Sequence, residues 1–124
     1  MAWSIDARIP VTLLPDAAAL PGALAAGRPA ALLAEGAVPR HAAAPATEIF
    51  APEAAQHPAA CVCCAGRSAA AQALDRLFQD RVRGRIAWFD RVVVLAATPE
   101  GRAELAQALA QDPLTTARFR RAPE

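Results

Sequence analysis

The chain has no lysine, no asparagine and no tyrosine in 124 residues, and all 13 of its basic residues are arginine. Any chemistry that depends on a lysine amine or an asparagine amide is therefore excluded. Aromatic residues make up only 5% of the sequence and the formal net charge is +1. A balance so close to neutral sets up no strong field for nucleic acid or an anionic membrane surface, so neither is expected as a partner. No apolar run is long enough for a transmembrane helix. The opening MAWSIDARIPVTLL has no basic region followed by an apolar run and a small-residue cleavage site. The expected location is the cytoplasm, where thiols stay reduced, and an odd number of cysteines fits that better than a disulfide framework.

What is present is concentrated. Hydrophobic residues reach 55%, but many are alanine, which favours helices and packs little volume, so the core is expected to be thin. The length suits one domain, residues 1–124. The only three cysteines, Cys61, Cys63 and Cys64, fall within four positions.

Around them the pattern alternates between strand-like and helix-like runs. Arg8 to Leu14 (RIPVTLL) reads as a buried strand stopped by Pro15. Asp16 to Gly27 reads as a helix with Asp16 as N-cap, weakened by Pro21 and Gly22. Ala30 to Glu35 reads as a second strand ending at Gly36. Residues 37–58, with four prolines and with His41 and His57 near the two ends, read as a long Pro/Ala-rich loop. Ala59 to Cys63 has the length of a short strand. Ser68 to Arg83 is a helix, with Leu74, Leu77, Phe78 and Val82 on one face. Val92 to Ala96 is a continuous apolar run of the kind that fills the centre of a parallel sheet. Thr98-Pro99-Glu100 starts a helix that buries Leu105 and Leu109, and Asp112-Pro113 starts a shorter one carrying Leu114 and Ala117. The tail RFRRAPE is expected to fray. Strands alternating with helices predict an α/β fold, a small three-layer sandwich with a mainly parallel sheet of about four strands.

In a strand, Cys61 and Cys63 share one face, roughly 7 Å apart along the chain. Ala65-Gly66-Arg67-Ser68 then leads into a helix N-terminus, whose partial positive charge, with Arg67, favours thiolate over thiol. Clustered thiolates suit zinc or another transition metal such as copper(I). Three cysteines are one short of a closed tetrahedral zinc site, and His41, His57 and Glu35 are the candidate fourth ligands, beside water or a second subunit. The competing readings are buried, inert cysteines and redox chemistry. His41 and His57 also read as ordinary loop residues. Arg81, Arg83 and Arg85 read as the solvated end of a helix rather than a nucleic-acid patch. Arg118, Arg120 and Arg121 read as a solvated tail rather than an anion site.

Several stretches in order resemble the CobW-type P-loop GTPases, the metallochaperone and cobalamin-synthesis group. Ile9 to Leu14 (IPVTLL) is similar to that family's first strand. Ala34-Glu35-Gly36 falls where the family has an Asn-Glu-Phe-Gly stretch, and Ala60 to Cys64 falls on its GCxCC motif. Phe89 to Val94 (FDRVVV) is similar to its FDRVVIE strand, and Asp112-Pro113 with Ala117 to Phe119 to the segment before its next strand. The resemblance implies the fold of the first half of a GTPase domain. It also implies metal binding at Cys61, Cys63 and Cys64, which in the family is coupled to the state of bound GTP.

The departures are equally specific. The P-loop expected after Leu14 needs glycines, a lysine on the phosphates and a hydroxyl on magnesium. Asp16, Pro21, Gly22 and Ala23 stand at those places, and a chain without lysine cannot restore the pattern in any alignment. The acid that ends the FDRVVIE strand becomes Leu95, and the guanine-recognition element, which uses asparagine and lysine, has no counterpart. Neither bound GTP nor hydrolysis is expected, and no other enzyme motif can be read from two histidines and scattered acids. Two functions remain. One is a nucleotide-independent metal-binding relative of the CobW-type chaperones. The other is a structural or interaction protein with vestigial cysteines, forming a homodimer or docking on another chain through an exposed sheet edge.

Overall fold

The computed structural model describes residues 7–36, 46–51 and 68–122. The strands are β1 (Ile9–Leu13), β2 (Ala30–Glu35), β3 (Thr47–Phe50), β4 (Arg91–Leu95) and β5 (Phe119–Arg121). The helices are α1 (Leu20–Ala25), α2 (Ala69–Val82), α3 (Pro99–Gln111) and α4 (Pro113–Arg118). The strands form one parallel sheet in the order β3-β2-β4-β1-β5. The α/β class and the parallel sheet are as expected, with five strands rather than about four.

The central strand is β4, whose Val92, Val93 and Val94 are fully buried. A strand covered on both faces needs apolar residues at every position, which is why RVVVL reads as a run and not as an alternation. Each valine removed from water contributes on the order of 1.5 kcal/mol or more. The register sets Val11 beside Val92 and Leu33 beside Val94.

Connections leave β1 towards β2 and leave β3 towards β4 in opposite directions along the sheet. Right-handed crossovers therefore place their helices on opposite faces. One face is thick: Val11, Leu33, Val92 and Val94 pack under Leu74 and Leu77 of α2 and Leu105 and Leu109 of α3. The other is thin: Val93, Ala30 and Leu14 meet Leu24 of the six-residue α1. Alanine does the close work on the thick face, where Ala70 and Ala73 let α2 approach the sheet.

Five local readings are corrected. The stretch read as a loop over 37–58 contains β3, which pairs with β2 through Leu32–Thr47 to Glu35–Phe50. Pairing and the buried Phe50 outweigh the flanking prolines. The tail read as frayed contains β5, anchored by the fully buried Phe119 and paired with β1. Val82 is exposed, because α2 turns that position past the edge of the core. In α4 the buried residue is Thr115, whose hydroxyl bonds Asp112, while Leu114 and Ala117 face outward. The helix expected over 16–27 is a 3-10 turn (Ala17–Ala19) followed by α1, with Pro21 in its first turn. Asp16 caps the 3-10 turn.

Candidate functional site

All strands of a parallel sheet end on the same rim, and open α/β folds hold their ligands just outside that carboxyl rim, where neighbouring connections diverge. Here β1 and β4 are neighbours whose connections run to opposite faces, so the crevice lies between the turn after β1 and the start of α3.

That crevice is knitted together by its own side chains. Thr98 N-caps α3 through its hydroxyl, which accepts the Gly101 N–H at 3.0 Å. Glu35, at the end of β2, reaches the same helix end. Its Oε1 accepts the Thr98 N–H at 2.8 Å and its Oε2 accepts the Thr98 hydroxyl at 2.5 Å. A carboxylate is favoured there by the exposed N–H groups of the first turn. The approach demands glycine at 101, since a Cβ would stand 2.1 Å from Glu35 Oε1. On the other side, Arg102 donates from Nη2 to the carbonyls of Leu14 (2.9 Å) and Pro15 (2.6 Å), tying the turn after β1 to α3. Asp16 Oδ1 accepts the Ala19 N–H at 3.1 Å, so an acid occupies the start of the turn where a P-loop would present bare N–H groups.

The segment with the cysteines joins β3 to α2. Its described neighbours are Ala51, just past β3, and Ser68, the N-cap of α2. A parallel strand ends at the carboxyl rim, so Ala51, just past β3, stands on the ligand side of the sheet. Cys61, Cys63, Cys64, His41 and His57 lie outside the described residues. So does the strand read over Ala59 to Cys63. Among the described residues no three His, Cys, Asp or Glu side chains are grouped to hold a metal.

Two features bear on the thiolate argument. The Ala71 N–H at the head of α2 is taken by the Ser68 hydroxyl (3.1 Å), and the Ala70 N–H by Glu104 Oε2 of α3 (3.0 Å). The helix end next to the cysteines thus carries an acid of its own, which offsets part of the positive field that the sequence offers to a thiolate. Glu35, the one candidate ligand that is described, holds the start of α3 with both oxygens. The sequence gives no sign of this double use, because the partners are 63 residues apart.

Arg102, Glu104 and Arg91 are the polar residues that sequence reasoning missed. Arg91 donates from Nε to Arg28 O (2.7 Å), from Nη1 to Ala23 O (2.9 Å) and from Nη2 to Leu24 O (3.4 Å) and Ala26 O, closing the carboxyl end of α1. A cation at that end also complements the helix dipole. Its identity as an arginine before a valine run carries no signal of such partners.

No family model, no curated protein and no solved structure matches this chain.

Proposed function

We propose that the chain is a nucleotide-independent binder of a transition metal, zinc foremost, related to the CobW-type metallochaperones. The three cysteines Cys61, Cys63 and Cys64 supply the thiolates. The observation that carries this reading is that the chain's whole complement of cysteine lies within four positions. The topology supports it, since Ala51, which precedes the segment holding them, stands at the carboxyl rim, where α/β sheets keep their ligands. Nucleotide independence is supported by the turn after β1, with Asp16 capping it and Arg102 on its carbonyls, and by the absence of lysine. With no hydrolysis to drive release, binding is an equilibrium set by pH and competing ligands, because thiols must lose protons to ligate. The fourth ligand is His41, His57, water or a second subunit. Glu35 ranks behind them, because ligation would take a carboxylate away from the start of α3.

Titration of reduced protein with zinc against a chromogenic chelator tests the reading. One zinc per chain is expected, and its affinity is expected to rise with pH through the thiol range. A stoichiometry that survives serine at 61, 63 and 64 would refute it.

A second reading is favoured by one observation. Among the described residues β3 is an edge strand with Ile49 46% exposed, and an exposed apolar residue on an edge strand invites pairing with another chain. A dimer seen by light scattering, insensitive to chelator and lost in Ile49→Lys, would support that reading over metal binding.

A further inference from the structure

The amino rim of the sheet holds a cavity of about 510 Å³. Its charged lining is Arg8, Arg28, Arg81, Arg91 and Arg120 with one acid, Asp90. It gathers residues from the starts of β1 and β4, the approach to β2, the end of α2 and β5, so only the folded topology assembles it.

We infer that this cavity is a binding site for a small organic phosphate. The hydrogen bonds of Arg91 and Arg81 go to carbonyls rather than to acids. Arg91 holds the carbonyls at the end of α1. Arg81 donates Nε to Phe89 O at 2.9 Å and lies over the Trp88 ring, 3.5 Å from its centre. Its terminal amino groups have no acceptor among the described residues. The Arg28 side chain has none there either, although its own carbonyl is used by Arg91. Asp90 accepts the Trp88 indole N–H at 3.2 Å, and it is the only acid in the lining among the described residues.

Two guanidinium groups with unused donors therefore border one concave, cationic space. Guanidinium forks match phosphate oxygens in pairs, and a recess of one sign concentrates the field on an anion. The volume lies within the range of small-molecule sites and exceeds what a lone phosphate needs, and Ile9 and Pro10 offer apolar wall to an organic body. This goes beyond the metal reading and is independent of it, since none of the candidate metal ligands is among the residues lining the cavity.

Isothermal titration calorimetry of the full chain with ribose 5-phosphate at low salt tests the inference, with inorganic phosphate as competitor. One site per chain is expected, displaced by phosphate. Arg28→Gln, which removes no side-chain bond among the described residues, is expected to weaken binding about tenfold, and Arg81→Met by at least as much. Arg76→Gln, at the Glu48 pair on the far edge, should leave it unchanged. A quench of tryptophan fluorescence that disappears in Trp88→Phe would place the ligand beside Arg81. Absence of binding at about 10 mM ligand would overturn the inference. Equal weakening by Arg76→Gln would overturn it as well, since attraction would then be general rather than local.

Discussion

The two rims of one sheet handle charge in opposite ways. At the carboxyl rim Glu35, Thr98, Arg102 and Asp16 each find a partner within the fold, and the crevice between β1 and β4 is closed by short bonds. At the amino rim Arg91 is bonded to carbonyls, but Arg28 and the amino groups of Arg81 border an open cavity. Burial pushes the Arg81 guanidinium below the usual arginine value, and the nearby charge of Asp90 acts against that shift. The difference teaches where to look for function. Polar groups that satisfy one another build structure, whereas grouped charges left without acceptors are available to a ligand.

The sharpest way to break this comparison is at Arg91. Arg91→Met strips the end of α1 of its donors, and a loss of about 3 kcal/mol is expected in urea denaturation. A loss under about 1 kcal/mol would mean that water replaces those bonds without penalty. Next is the carboxyl rim. Gly101→Ala forces Glu35 off Thr98 and should cost about 2 kcal/mol. In a Glu35→Ala background the same change should cost far less, because the clash and the cap are one interaction. Additive losses would show that the crowding lies elsewhere. The smallest effect belongs to Arg28. Arg28→Gln should leave stability within about 0.5 kcal/mol, and a clear loss would make it a structural residue like Arg91.

Legibility in the sequence followed the physics of each element. Strands β1, β2 and β4 were readable because buried parallel strands are uninterrupted apolar runs. Helix α2 was readable from its apolar face, and α3 and α4 from their caps, since Thr98 and Asp112 each accept the N–H three residues on. The edge strands were not readable. In β5 a single Phe119 carries the anchoring among arginines, and in β3 four residues sit inside a proline-rich stretch. Both are specified by pairing with β1 and β2, a tertiary effect that local pattern does not contain. In α4 the helix was readable but its buried face was not, because a threonine bonded to its own N-cap takes the buried place expected for leucine. At the candidate site, the cysteine cluster was visible as composition. The role of Glu35 was not, because its partner Thr98 is distant in sequence and read only as a helix start.

The proposed function requires Cys61, Cys63 and Cys64 to act together on a metal. The most direct measurement is the metal content of the full chain, purified without a metal-binding tag, beside a variant with serine at all three positions. About one zinc or other transition metal per chain in the native protein, and none in the variant, is the predicted result. Equal metal in both, or none in the native protein even after exposure to zinc, would contradict it.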